Sequence, residues 1–311
     1  MACEPDAWEL TCSYAFEKKR TGYIALVFEA YFDAALTSPR SRDDFPVHTV
    51  AVYLAKQDDW RKIRKEWKRD LGNVPYFHMT DFEFAYNRAK RGKPIPSTSP
   101  YHGLEESDFL PLLNRVHKII ARRNRQGEPR IQAFASHVVK SAFDTLRPAE
   151  LATDPHCASY YIFNVSALMK TIRNWMHERN IDEPVHYIFA GGDAGEVGYL
   201  NGLFDDLFAD LGRAHRFRLN KGFGKVGYDI GWMKAEPAIQ AADIGCYELH
   251  KNVLLWIEMG YPDAISPDLR RKALSALTAM GMEFRGLTYR GQQIREQFEE
   301  RLREIRGEEV Y

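Results

Sequence analysis

The sequence predicts an α/β protein, a mixed sheet of strands alternating with long amphipathic helices. Three observations carry that expectation. Apolar runs of strand length recur at Tyr23–Asp33, Val47–Ala55, Ile131–Val139 and Val185–Phe189. The segments between them repeat apolar residues every three to four positions, the period of a helix with one buried face. The chain has 311 residues, 45% of them apolar and 13% aromatic, which is enough to build a large core and too much for a disordered polymer.

The run Tyr23–Asp33 is nearly continuous in apolar residues, as a strand covered on both faces should be. After the polar loop Thr37–Pro46 comes a second strand, Val47–Ala55. Gln57–Leu71 follows as a helix, with Trp60, Ile63, Trp67 and Leu71 on one face. Pro75–His78 reads as an extended piece before a helix start at Met79–Asn87, where Thr80-x-x-Glu83 has the capping-box pattern. Arg88–Gly103 is a loop, carrying Arg88, Lys90, Arg91 and Lys93 and then Pro94, Pro96 and Pro100. Glu105–Gln126 and Ala158–Arg179 are amphipathic helices on either side of the strand Ile131–Val139. The strand Val185–Phe189 enters the glycine turn 190–195. A helix at Gly198–Leu211, a strand at Ala214–Leu219 and a glycine-rich loop at Asn220–Gly231 come next. Pro237 opens a helix through about Trp256, and the tail holds helices at Ser266–Met280 and Gln292–Arg306. The expected organisation is an arm (1–21), a main domain (22–256) and a helical C-terminal extension (257–311).

Charge and cysteine use narrow the function classes. Forty-three Lys+Arg balance 43 Asp+Glu, which argues against a tail-driven nucleic-acid binder and leaves room for a local basic groove. No apolar run has the length of a membrane span, and Met1–Leu10 carries Glu4, Asp6 and Glu9 rather than a basic-then-apolar signal. Cys3, Cys12, Cys157 and Cys246 form no Cys-x-x-Cys pair, so neither a disulfide framework nor a thiolate zinc site is expected. His156-Cys157 is a poor nucleophile pair, because neighbours on a helix diverge by about 100°. A cytoplasmic protein without membrane attachment is the expectation.

Three places put carboxylates where they could act. Asp33 ends the most buried strand, on one face with Tyr31 and Glu29, and Glu29 lies ~13 Å back along it. On the late helix, Gln240, Asp243 and Tyr247 share a narrow stripe beside the apolar Ile239, Ala242, Cys246 and Leu249. A carboxylate there must be neutralised, hydrogen-bonded or bound to a cation; Gln240 or Tyr247 could equally serve as its partner. Asp193 and Glu196 sit in a strand-to-helix turn whose glycines, three apart, fit neither a dinucleotide fingerprint nor a P-loop. His78 stands before a helix start, placed either to contact phosphate or metal or to pack.

The ordered set Glu29-Ala-Tyr-Phe-Asp33, Asp59-Trp60 with Trp67, Tyr76-Phe-His-Met-Thr-Asp-Phe82, Tyr187-Ile-Phe-Ala-Gly-Gly-Asp193 and Gln240-Ala-Ala-Asp-Ile-Gly-Cys-Tyr-Glu248 resembles the domain-of-unknown-function family 3800. The resemblance spans about Tyr23 to His250. It implies a ribonuclease-H-like fold, a mixed five-stranded sheet flanked by helices. Acids of the first strand, of the fourth-strand region and of a late helix would converge there on metal ions. Asp33 and Asp243 match two of those positions. Ala34 and Ala190 stand where the family usually carries Glu, and Asp193 is the residue at hand to complete the set.

The function this implies is a metal-dependent phosphodiester hydrolase acting on DNA or RNA, with Mg²⁺ or Mn²⁺ held by Asp33, Asp243 and Asp193. His78 would serve substrate or proton transfer. Gln240, Arg88, Lys90, Arg91, Lys221 and Lys225 would contact the substrate. The competing expectation is a catalytically degenerate protein that binds a nucleic-acid or protein partner, and a small phosphorylated substrate is a third. The stripe Ile294, Phe298, Leu302 and Ile305 would dock on the domain or form a homodimer contact.

Overall fold

The computed structural model describes residues 28–35, 46–181, 183, 185–190, 203, 234–259, 277, 284–289 and 291–308. Four strands, β1 (Phe28–Ala34), β2 (Val47–Lys56), β3 (Gln132–Val139) and β4 (Val185–Phe189), form the body of a mixed sheet in the order β4-β1-β2-β3. A fifth, β5 (Phe284–Tyr289), lies along the outer edge of β3. β2 pairs antiparallel with both β1 and β3, whereas β4 and β5 run parallel to their neighbours. β2 alone therefore runs against the rest.

The near-continuous apolar character of β1 and β2 is explained by helices on both faces of the sheet. Period-two alternation sends Phe28, Ala30 and Phe32, with Val50, Val52 and Leu54, to one side. There they pack on Ile162, Val165, Leu168 and Ile172 of the long helix α5 (Tyr160–Glu178). Ser159 caps this helix by accepting from the Ile162 N–H. Tyr31, Tyr53, Ala55 and Ala133 face the opposite side. That layer is built from α1 (Gln57–Leu71), α2 (Met79–Lys90), α3 (Glu106–Ile120) and α6 (Pro237–Glu258). In α1, Trp60, Ile63, Trp67 and Leu71 are the buried residues, as their spacing requires. No helix among the described residues is long and apolar enough to cross a membrane.

Several expectations need correction. The helix after Glu105 ends at Ile120 rather than Gln126, because the chain turns into a tight loop bridged by Arg123 and Pro129. A short helix, α4 (Lys140–Leu146), follows β3 directly. The C-terminal extension is not purely helical, since it supplies β5 as well as α7 (Gly291–Ile305). Ile294 and Phe298 of α7 are buried against Phe143, Phe163 and Tyr289, with Leu302 packed beside them. Arg301 grips the buried Asp154 through Nε and Nη2. The apolar stripe thus docks on the chain itself, leaving only Ile305 of that stripe exposed for the homodimer contact. The expected elements Gly198–Leu211, Ala214–Leu219, Asn220–Gly231 and Ser266–Met280 lie outside the described residues or touch them at a single position.

Candidate active site

The face of β1 that carries Glu29, Tyr31 and Asp33 is covered by α6, and the sequence lets that helix come close. Asp33 pairs across to Ala51, which in turn pairs to Ala135, so a row of small side chains lies under the helix. Cys246 and Leu249 pack on these two alanines. At Gly245 a Cβ would stand 2.8 Å from Tyr53 Cζ, so only glycine fits. This approach brings Asp243 to the end of β1, beside Asp33. Both are buried, each 6% exposed.

Two carboxylates so placed raise one another's cost of ionisation. Burial pushes the Asp33 carboxyl well above its usual range and the charge of Asp243 pushes it further, against the opposing pull of His78 and the Ala34 backbone. Burial also raises Asp243, opposed by His78 and by a hydrogen bond from the Met79 N–H. The thiol of Cys246, raised by burial, feels both carboxylates as well. Asp33 thus feels the charge of Asp243, and Cys246 feels both.

His78 stands between two acids. Its Nδ1 lies 3.1 Å from Asp81 Oδ2 and its Nε2 lies 4.0 Å from Asp243 Oδ1. Burial disfavours its charged form, but the hydrogen bond to Asp81 and the charges of Asp243, Asp81 and Asp33 outweigh burial, pushing the imidazole up to about 9. Its backbone is fixed too. The His78 N–H donates to Tyr101 Oη at 3.0 Å, and that hydroxyl donates back to the His78 carbonyl at 3.2 Å.

The capping box expected at Thr80 and Glu83 does not form, because α2 begins two residues earlier than that box requires, with His78 at the N-cap. Asp243 takes the capping role from another helix, its Oδ2 accepting from the Met79 N–H at 2.7 Å. Glu83 meets the hydroxyl of Tyr247 instead. Neither Gln240 nor Tyr247 supplies the partner of Asp243 that their spacing offered.

The expected substrate contacts fare less well. Gln240 is 2% exposed and its amide is committed. Its oxygen accepts from Trp67 Nε1 and the Phe77 N–H, and its nitrogen donates to the Lys234 carbonyl. It is a brace of the core, out of reach of any substrate. Arg88 turns its Nε to the Pro94 carbonyl and stacks over Phe84. Lys90 and Arg91 lie at the far end of the 12-residue α2, ~18–20 Å along the helix from His78. Asp193, Glu196, Lys221 and Lys225 lie outside the described residues. Cys157 is buried, with its thiol pushed up to about 12, which makes it a poor nucleophile.

Ala34 and Ala190 differ in meaning. Ala34 packs in the cluster on the α5 side, so an acid there would point away from Asp33. Ala190 follows β4, whose Phe189 pairs with Phe32, and it packs on the same side as α6. It therefore lies level with Asp33 on the same face.

Sequence reasoning missed Asp81, Tyr101 and Arg64. Asp81 is one helical turn after His78, a spacing that could have named it. Arg64 joins Glu29 at 3.0 Å to Glu236 at 2.8 Å, tying β1 and α1 to the start of α6. Nothing local in the sequence signals that three-way contact.

Asp33 and Asp243 are the residues that could hold a hydrated divalent cation. The Met79 N–H holds Oδ2 of Asp243 and the Ala34 backbone holds the Asp33 carboxyl, which leaves Oδ1 of Asp243 and part of Asp33, and Mg²⁺ commonly takes only one or two carboxylates and keeps its waters. Among the described residues no group of three or more His, Cys, Asp and Glu side chains is arranged around a common metal position. Comparison of the chain with protein-family models, with curated proteins and with solved structures finds no match.

Proposed function

We propose that the Asp33–Asp243 pair holds a hydrated Mg²⁺ or Mn²⁺ ion and serves hydrolysis of phosphodiester bonds in nucleic acid, on a ribonuclease-H-like fold. One observation carries the reading: two like-charged, buried carboxylates converge where His78 is the facing cation among the described residues. Such a pair is costly to ionise without further positive charge. The mixed sheet and the ordered motif resemblance give it additional support.

Asp33 and Asp243 would hold the cation, which when bound would supply Lewis acidity for attack on phosphorus. The chain's own groups do the rest. The Met79 N–H fixes Asp243 so that Oδ1 faces the site. Tyr101 fixes the His78 backbone, and Asp81 orients its ring from Nδ1. His78 Nε2 is then the group placed to give a proton to the departing oxygen as water displaces it from phosphorus.

Calorimetric titration with Mn²⁺, paired with cleavage of single- and double-stranded DNA and RNA, tests the proposal. Micromolar to millimolar Mn²⁺ binding and cleavage, both lost in Asp243→Asn with the fold retained, are expected. Absence of Mn²⁺ binding by the unaltered protein refutes it. Ala190 at the site edge and the lack of a third described ligand favour a second reading, a non-hydrolytic relative that binds nucleic acid or protein. Tight oligonucleotide binding without cleavage, unaffected by Asp243→Asn, would select that reading.

A further inference from the structure

We infer that Tyr76 and Lys234 form a subsite for one base–phosphate unit of a single nucleic-acid strand, beside the acid pair. The inference deepens the hydrolase reading and rests on it for the identity of the neighbouring site. Phe77 is fully buried, while Tyr76 and His78 on either side of it are partly exposed, and the backbone of His78 is extended. Two residues of chain separate Tyr76 from His78, which keeps their backbones within about 7 Å. The Tyr76 hydroxyl is within range of the charge on Asp81, the acid that holds the His78 ring.

Lys234 reaches this tyrosine from the start of the α6 segment, its ammonium 5.3 Å from the ring centre. Lys234 is exposed, and among the described residues it forms no ion pair. Arg64 and Arg301, by contrast, are locked between carboxylates. The result is a line of groups reading Lys234, Tyr76, His78 and then Asp243 with Asp33.

The line is rigid. The Phe77 N–H is held by Gln240, whose other end holds the Lys234 carbonyl, so one buried side chain fixes both halves of the subsite. Tyr101 holds His78 on the other side. An aromatic ring with a cation over its face is a combination that binds unpaired strands, a phosphate drawing the ammonium off the ring and the base stacking in its place. A duplex hides its base faces and offers nothing to Tyr76, so the subsite selects single strands. It also answers an electrostatic need, because the acids alone would repel a polyanion.

The test uses the full chain and fluorescein-labelled dT12 and rU12, titrated by anisotropy in EDTA so that neither a divalent ion nor cleavage contributes. Tyr76→Ala is expected to weaken binding about tenfold, the scale of one lost stacked base. Tyr76→Phe should bind within twofold of the unaltered protein. Lys234→Gln should weaken binding and flatten its salt dependence by about one phosphate contact. Unchanged affinity in both Tyr76→Ala and Lys234→Gln, with melting temperatures confirming the fold, overturns the inference. So does equal competition by free dTMP, which would assign the subsite to small phosphorylated molecules, and so does equal affinity for a blunt duplex. Hydrolysis of bis-p-nitrophenyl phosphate with Mn²⁺ separates this from the hydrolase reading. Tyr76-dependent strand binding without that hydrolysis sinks the chemistry and keeps the subsite, and hydrolysis without strand binding does the reverse.

Discussion

Gly245→Ala is the perturbation with the clearest physical consequence. On an exposed helix this change stabilises by about 1 kcal/mol, because glycine is the poorer helix former. Here the new methyl would lie 2.8 Å from Tyr53 Cζ and 3.0 Å from Cε1, and closer still to the hydroxyl. Normal contact is about 3.5–4.0 Å, so α6 and β2 must separate by roughly 0.5–1 Å. Tyr53 is fully buried in the middle of β2 and cannot swing aside. Overpacking of this kind costs about 1–3 kcal/mol, and the helix gain offsets only part of it. The expected outcome is a Tm lower by about 1–3 °C in calorimetry. Because Asp243 is two residues away on the same helix, Mn²⁺ affinity should fall with it. Tyr53→Phe removes the nearest atom, so the double variant should recover part of the loss. A Gly245→Ala protein that melts higher than the parent would refute the close-contact argument.

Three other outcomes are expected. His117 is buried in α3 with neither ring nitrogen hydrogen-bonded among the described residues, and burial lowers its pKa to about 4. A depressed imidazole contributes stability that is present above about pH 6.5 and is lost as pH falls toward 4, so His117→Leu should gain about 2 kcal/mol over the parent between pH 7 and pH 5 in urea melts; equal pH slopes would contradict this. Asp33 is raised, so its folded form favours the proton and stability declines as pH climbs above about 4. Asp33→Asn should therefore melt higher than the parent at pH 7 in EDTA yet gain nothing from added Mn²⁺, and a lower melting point in EDTA would tell against the repulsive pair. Ala190→Glu supplies a carboxylate level with Asp33 on the α6 side; about tenfold tighter Mn²⁺ binding by calorimetry is expected, and no change would place the cation elsewhere.

Much of the fold was legible because long elements carry redundant signals. Gln57–Leu71 shows its buried face four times over, and Val185–Phe189 is bounded by a proline and a glycine turn. The parity of β1 set Glu29, Tyr31 and Asp33 on one face, and the apolar stripe of α6 set Asp243 beside a buried surface. Their meeting needed the resemblance as well, since period alone does not say which helix covers which strand. β5 was not legible because Phe284–Tyr289 is stabilised by pairing with β3, a long-range partner that local pattern cannot name. The role of Gln240 was misread for a related reason. A glutamine on a polar stripe looks available, and only the arrival of Trp67 and Phe77 from elsewhere in the chain makes it part of the interior. Asp243 as the cap of α2 is the same lesson in the other direction, a local helix signal at Thr80 overruled by a carboxylate 164 residues away.

The edge of β3 has a consequence for biosynthesis. β3 is complete at Val139, but the segment that satisfies its outer amides and carbonyls starts at Phe284. While the ribosome makes the intervening stretch, that row of hydrogen-bonding groups stays open to any other extended polypeptide. The nascent protein thus passes through a long interval of vulnerability to intermolecular strand addition, and translation stalled within it would leave a sticky, unfinished molecule.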